Sequence, residues 1–296
     1  MPSNRIYLLA AASAFFWGTN FVLAGTVLAD LSPLWAAALR FLLGAGLMVA
    51  IAAGQGEDLA VLARRHAGVY LGLGLVGIAG FNLLFFQAMK STSADNGALI
   101  MATNPLLTTL LAALTLGERA GRRQLLALPV ALAGVAVVVS HGSLVRLVNL
   151  QLADGDLLML AANLTWAAFN IGSRRFMPAT SPVGNTALMM AAGAAILTAV
   201  AIAGGSAPAL PGLRAGLALA VMAVAGTVLA YLFWGLAIRQ LGAGRTSLFL
   251  NLVPVFAMLV GGLAGNLPTP AQVGGGLLVL AAVLTAMLPR RQPALA

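Results

Sequence analysis

The stretch GFNLLFFQAMK at residues 80–90 falls on VLAYLFWGLAIR at 228–239 when the chain is shifted by 149 residues. Leu83 then lies on Leu232, Ala88 on Ala237 and Lys90 on Arg239. The same shift places Trp17 on Trp166, Gly77 on Gly226, Leu99 on Leu248 and Pro105 on Pro254. Alanine and leucine are common, so single matches weigh little. One constant offset held across half of the chain predicts a duplication, with repeats at 1–149 and 150–296.

Composition supplies the solvent for these repeats. Of 296 residues, 61% are hydrophobic and 8% charged, against roughly 25% charged in a soluble domain. Such a surface does not stay dispersed in water, and disordered chains are polar, so lipid is the expected surrounding. Crossing about 30 Å of hydrocarbon takes about 20 apolar residues. Ten runs meet that need, at 6–29, 33–54, 68–89, 97–116, 124–140, 156–173, 183–203, 214–238, 247–266 and 272–288. The first follows Arg5, is longer than a signal-peptide core and lacks a small-residue cleavage site, so a retained helix is expected.

Lysine and arginine set the orientation. With the N-terminus in the cytoplasm, Arg5, Arg64, Arg65, Arg119, Arg122, Arg123, Arg174, Arg175, Arg239, Arg245, Arg290 and Arg291 are cytoplasmic, and Lys90, Arg146 and Arg214 lie opposite. Both termini are then cytoplasmic. The net charge of +9 is a topology signal, with no nucleic-acid partner expected. Five helices per repeat is an odd number, so the second repeat is inverted, in keeping with Lys90 outside and Arg239 inside. Inverted halves can exchange conformations and expose a shared site to each side in turn. The fold class expected is all-α integral membrane, ten transmembrane helices as two inverted five-helix repeats around a central cavity. A duplicated half removes the need for a dimer, so a monomer is expected.

The chemistry is as telling for what it lacks. There is no cysteine, hence no disulfide and no thiolate metal site. Asp30, Glu57, Asp58, Asp95, Glu118, Asp154 and Asp156 all fall in loops or at span edges, and His66 and His141 fall in loops. No constellation for an intramembrane enzyme remains, no cofactor or metal is expected, and no buried acid is on hand for a proton relay. The apolar GVYLGLG run is not a phosphate loop, because no Lys–Ser/Thr follows it.

Binding is expected to fall to aromatic and amide side chains at helical spacing. Trp17 and Asn20 share a face of the first span, and Asn163, Trp166 and Asn170 share one of the sixth. Asn82 and Phe86 lie four apart on the third, with Tyr231 at the position matching Asn82. Met101, Asn104 and Asn251 complete the candidate set. Rings stack on an apolar or aromatic substrate, and amides orient its polar end. The plainer reading stands beside this one: a membrane Asn often bonds a neighbouring helix, and a Trp often anchors at the interface. Trp35 is expected to be such an anchor and Trp234 is open to that reading, whereas Trp17 and Trp166 sit about ten residues into their spans. Arg40, the one charge inside a span, is read chiefly as structural, with a grip on a substrate carboxylate as the alternative. Glu118 is expected to pair locally with Arg119, Arg122 or Arg123. Pro105 and Pro254 are repeat-related kink points, and the pairs Gly68/Gly72 and Gly261/Gly265 are expected at close helix contacts.

Taken with AFFWGTNFV (14–22), LRFLLGAGLM (39–48), NPLLTTLLAALTLGER (104–119), TWAAFN (165–170) and LVPVFAMLVG (252–261), the whole chain resembles the EamA-type branch of the drug/metabolite transporter superfamily. It departs from a symmetric pattern where Glu118 meets Leu267 in the second half. The resemblance implies a basket-like bundle in which helices 1, 3, 4, 6, 8 and 9 surround the site and 5 and 10 are peripheral. Within the superfamily it is most similar to bacterial exporters of aromatic amino acids and of bulky cations such as methyl viologen. The expected function is therefore export of aromatic or hydrophobic amino acids, related metabolites or bulky cations across a bacterial inner membrane. A carrier for a neutral amino acid, nucleoside or sugar, a proton-coupled multidrug exporter, and a passive channel or scaffold are the alternatives.

Overall fold

The computed structural model describes residues 4–92, 94–151, 153–205 and 209–287. Arg290, Arg291, residue 288 of the last expected span and the side chain of Asp95 lie outside the described residues. Among the described residues ten long helices run as α1 Asn4–Leu28, α2 Pro33–Gly54, α3 Leu59–Ala88, α4 Asn96–Leu116, α5 Arg122–Val139, α6 Asp154–Phe176, α7 Pro182–Ala203, α8 Leu213–Leu241, α9 Ala243–Leu263 and α10 Pro270–Met287, with a short helix at Leu144–Val148 between α5 and α6. In lipid the backbone must satisfy itself, and helices do so within one segment. Among the described residues, nine of these helices are long and apolar enough to cross a bilayer. The other, α6, carries Asn163, Trp166 and Asn170, and all three are buried inside the bundle. Its lower hydropathy thus reflects an inward polar face.

The expected spans are met with shifted ends. α3 begins at Leu59 instead of 68, because Asp58 accepts from the Val61 amide and caps a helix that runs on through Arg64 and Arg65. His66 is consequently on a helix, at a kink with φ −129° and ψ 23°, and not in a loop. A hydropathy reading stops at charge, whereas helix formation does not.

Loops and helix ends an even number of helices apart meet at alternate ends. At one end the Ser181 hydroxyl donates to Glu57, Arg174 pairs with Glu118, and Arg245 donates to the Tyr7 hydroxyl. At the other, the Gly212 amide donates to Asp30 over 2.8 Å, and Thr92 and Asn96 donate to Asp156. Successive helices are therefore antiparallel.

Positions 149 apart play matching parts. π-helical segments interrupt α3 at Leu75–Gly80 and α8 at Val224–Leu229. A Cβ on Gly44 would meet Thr227, and one on Gly193 would meet Ile78; a Cβ on Gly77 would meet the Phe169 ring, and one on Gly226 the Asn20 amide. In each pair of contacts the two halves exchange roles. The repeat mates α2 and α7 pack on each other, as do α5 and α10.

The glycines that permit close approach are not those expected. Around Gly68, Gly72, Gly261 and Gly265 nothing lies within 4 Å of a built Cβ. The tight crossings are instead at Gly74, where a Cβ would stand 2.7 Å from the Gly193 amide nitrogen and 2.8 Å from the Met189 carbonyl, and at Gly134 against Gly275. Spacing marks a glycine face, but only docking decides which face is covered. Backbone cannot step aside, so Gly74→Ala is expected to lower the melting temperature of the purified protein by several degrees, overpacking costing about 1–3 kcal/mol. Gly72→Ala, two residues along the same helix, is expected to leave it unchanged or raise it slightly. Superimposable melting curves for the two variants would refute the close α3–α7 contact.

Candidate substrate site

Each half delivers a tryptophan to the centre. Trp17 of α1 and Trp166 of α6 meet edge to face with centroids 5.4 Å apart. Tyr231 of α8 contacts both, at 5.9 and 5.8 Å, and Trp234, one turn on, lies 5.0 Å from Trp17. Phe169 and Phe81 flank Trp166 at 5.1 and 5.2 Å, and Phe41 of α2 lies 5.7 Å from Tyr231. Edge-to-face packing matches the positive rim of one ring to the negative face of the next.

The two π-helical segments hold this group in place. A π turn releases a carbonyl from the regular ladder. Trp17 donates its Nε1–H to the Gly226 carbonyl over 3.0 Å, and the Tyr231 hydroxyl points at the Gly77 carbonyl over 3.5 Å. Glycine is required at both positions, since a side chain there would run into Asn20 or Phe169.

The amide candidates divide. Asn20 packs on Gly226, and Asn82 donates to the Ile78 carbonyl over 2.7 Å while its Oδ1 faces Arg40. The Asn170 Oδ1 accepts from the Trp234 indole over 2.8 Å. Asn104 and Asn163, by contrast, are consumed by structure. Asn104 donates to the Asn163 side chain (2.6 Å) and carbonyl (3.0 Å) and accepts from Thr108, while Asn163 donates to the Ile100 carbonyl and the Thr103 hydroxyl. These bonds staple α4 to α6 where Pro105 breaks the α4 ladder, so neither amide is left for a substrate. Asn251 is buried in the 3₁₀ turn Leu248–Asn251 of α9, and among the described residues its Oδ1 has no partner. Phe86 joins the rings only through Phe85 and Phe81, and Met101 is half-buried on α4. Both expected kink points sit at real interruptions: α4 resumes at Asn104–Leu116 with Pro105 in its first turn, and α9 resumes at Leu252–Leu263 around Pro254.

Two readings of tryptophan are corrected. Trp35 is buried in the main core and Trp234 is 1% exposed and bonded to Asn170, so neither is a lipid-facing anchor. Phe169 and Trp234 lie three residues beyond Trp166 and Tyr231, so helical period alone would have found them; Phe81 and Phe41 needed the tertiary fold.

Among the described residues several buried polar atoms have no partner. On α6 they are Trp166 Nε1, Asn170 Nδ2 and Ser173 Oγ, at i, i+4 and i+7 on one face. Buried polar groups are nearly always satisfied. A stripe of unused hydrogen-bonding groups beginning at the ring cluster is suited to a ligand bearing acceptors.

At the end holding the α2–α3 loop, Glu118 does not pair with Arg119 or Arg122 in the way expected. Its Oε1 lies 3.4 Å from Arg174 Nε, and its two oxygens accept from the Ala243 and Gly244 amides. Thr109, Glu118, Arg174 and Gly242 border a cavity of about 210 Å³.

The sequence profile of the EamA-like transporter family matches residues 4–140 and, a second time, 153–288. The uncharacterized transporter YyaM of Bacillus subtilis is 38% identical over 288 residues, covering 97% of this chain and 94% of its own. A probable amino-acid metabolite efflux pump of Escherichia coli is 29% identical, covering 86% and 85% of the two chains. One solved crystal structure superposes with a TM-score of 0.81 at 20% identity, over 97% of each chain, and so shares the fold.

Proposed function

The chain belongs to the EamA-like transporter family and is a multi-pass membrane transporter, not an enzyme; from that premise we propose that it exports amino acids, chiefly aromatic or hydrophobic ones, and related small metabolites or bulky cations by alternating access of two inverted repeats at 1–149 and 150–296. The observation that carries the reading is the central ring group with unused donors beside it: Trp17, Trp166, Tyr231 and Trp234, with Trp166 Nε1 and Asn170 Nδ2 lacking partners. The rings stack on a substrate's apolar part or hold a cation on their faces, and the donors take its carboxyl oxygens. The efflux-pump name of one relative points the same way.

Transport follows from the paired geometry. Exchanging the conformations of the halves parts the helices at one end and closes them at the other, with Pro105 and Pro254 as bending points and the rings staying between the halves. The protein sits in a bacterial inner membrane with both termini on the cytoplasmic side, a reading the arginine bias supports, and works as a monomer, for which a duplicated half suffices.

Every described acid sits at an end of the bundle, so substrate moves down its own gradient without a buried-carboxylate relay. The purified protein in liposomes, offered a panel of amino acids and bulky cations, is expected to show saturable counterflow that is strongest for aromatic amino acids. An imposed pH gradient is expected to produce no uphill accumulation. Accumulation driven by pH would refute the uncoupled mechanism, and flux without saturation or counterflow would make the protein a channel.

A further inference from the structure

We propose that Arg40 is the anion-binding residue of the central site and favours amino acids, through their carboxylate, over amines and bulky cations that lack one. This deepens the proposed reading and rests on it. Arg40 stands seven residues past Pro33 in α2, about 10 Å along the helix at 1.5 Å per residue, and is the one charged side chain of that helix. A cation at this depth is unfavourable unless its donors are met.

They are largely unmet. A guanidinium offers five donors. Here Nη2 makes one long bond, 3.4 Å to Asn82 Oδ1, and Nε is buried with no partner. The Cζ lies 4.8 Å from the centre of the Phe41 ring. Among the described residues no carboxylate pairs with it. Asp30 is held by the Gly212 amide, Asp156 by Thr92, Asn96 and the Ala153 amide, Glu57 by Ser181 and Glu118 by Arg174. Among the described residues no backbone carbonyl accepts from it, and its contacts are the Asn82 amide and the Phe41 ring.

The neighbours give the charge a place in the site. Phe41, the next residue, contacts Tyr231, and Tyr231 contacts Trp17 and Trp166. A molecule with its ring among the tryptophans therefore has its carboxylate within reach of a planar fork that binds carboxylates bidentately. Without that carboxylate the same molecule leaves a partly buried charge unpaired, which turns an attractive contact into discrimination.

The test pairs each solute with its decarboxylated form, phenylalanine with phenethylamine and leucine with isoamylamine, and reads binding to the purified full-length protein by ligand-induced thermal stabilisation. In the unaltered protein the carboxylate-bearing member is expected to bind about 10- to 100-fold more tightly, the range of a charge-assisted hydrogen bond. In Arg40→Gln that difference is expected to vanish while binding of the amines is unchanged. Arg40→Met removes the charge without leaving a polar group among apolar neighbours, and its ligand-free melting curve verifies folding should the Gln variant fail. A preference for the leucine pair over the phenylalanine pair would overturn the aromatic reading yet leave the Arg40 assignment standing. The assignment itself falls if neither pair differs in the unaltered protein, or if the difference survives in both variants.

Discussion

Trp166→Phe is expected to leave the fold intact and to weaken substrate binding by about 5- to 30-fold. Phenylalanine keeps a ring against Trp17, Phe81, Phe169 and Tyr231, which Trp166 contacts at 5.1–5.8 Å. What it removes is an indole N–H with no acceptor among the described residues. Deleting a buried donor that bonds to nothing relieves a desolvation penalty of about 1–3 kcal/mol, against a smaller loss from the lesser ring. The melting temperature of the ligand-free protein should therefore move by only a few degrees. If the N–H serves a substrate oxygen, its loss is worth about 1–2 kcal/mol, which is the fold-change stated. Trp17→Phe is the contrast. Trp17 bonds the Gly226 carbonyl, so its replacement strands an acceptor in the π-helical segment and should lower stability first. Calorimetric titration beside melting curves separates the two effects. Undiminished binding to the Trp166→Phe protein would remove this indole from the site.

Glu118→Ala is expected to open the end of the bundle that holds the α2–α3 loop. The carboxylate joins the end of α4, the end of α6 and the start of α9. Its pair with Arg174 is partly exposed, with side chains 24% and 40% accessible, so solvent screening leaves the ion pair worth under about 1 kcal/mol. The two amides at the start of a helix add more, because charge-assisted bonds there are worth about 1.5–3 kcal/mol. The matching position in the second half is Leu267, exposed and apolar, so the second repeat supplies no carboxylate equivalent to Glu118, and the opposite end is tied by different contacts, of Asp30 with the Gly212 amide and of Asp156 with Thr92 and Asn96. The native chain has no cysteine, so a single cysteine in place of Ala112, which borders the cavity beside Glu118, is a clean reporter. Its reaction with a membrane-impermeant thiol reagent is expected to rise about tenfold in Glu118→Ala. Reaction is expected in inverted vesicles and not in intact cells, which tests the orientation as well. An unchanged rate would show that the carboxylate is no latch, and labelling from outside would invert the assigned topology.

The site was only partly legible in advance, and the divide follows the range of each interaction. Trp17 and Trp166 stood out because a ring ten residues into a span is too deep for the interface belt. Trp234 was hidden by its position near a helix end, where anchoring is common. Asn104 and Asn163 looked no different from Asn20 until the break before Pro105 brought unpaired groups of α4 against α6. Glu118 has three arginines close in sequence, yet its partner is Arg174, from the other half of the chain.

From the sequence alone came the solvent and the number and placement of the helices. Each rests on local composition, because a backbone in lipid meets its hydrogen bonds within its own segment and the bilayer sets the segment's length. The tertiary structure alone decided which glycine faces touch, which amides are spent on neighbours and which donors, Trp166 Nε1 and Arg40 Nε among them, are left over. Those outcomes depend on which helices face one another, and helical period fixes a side chain's face without naming what lies opposite.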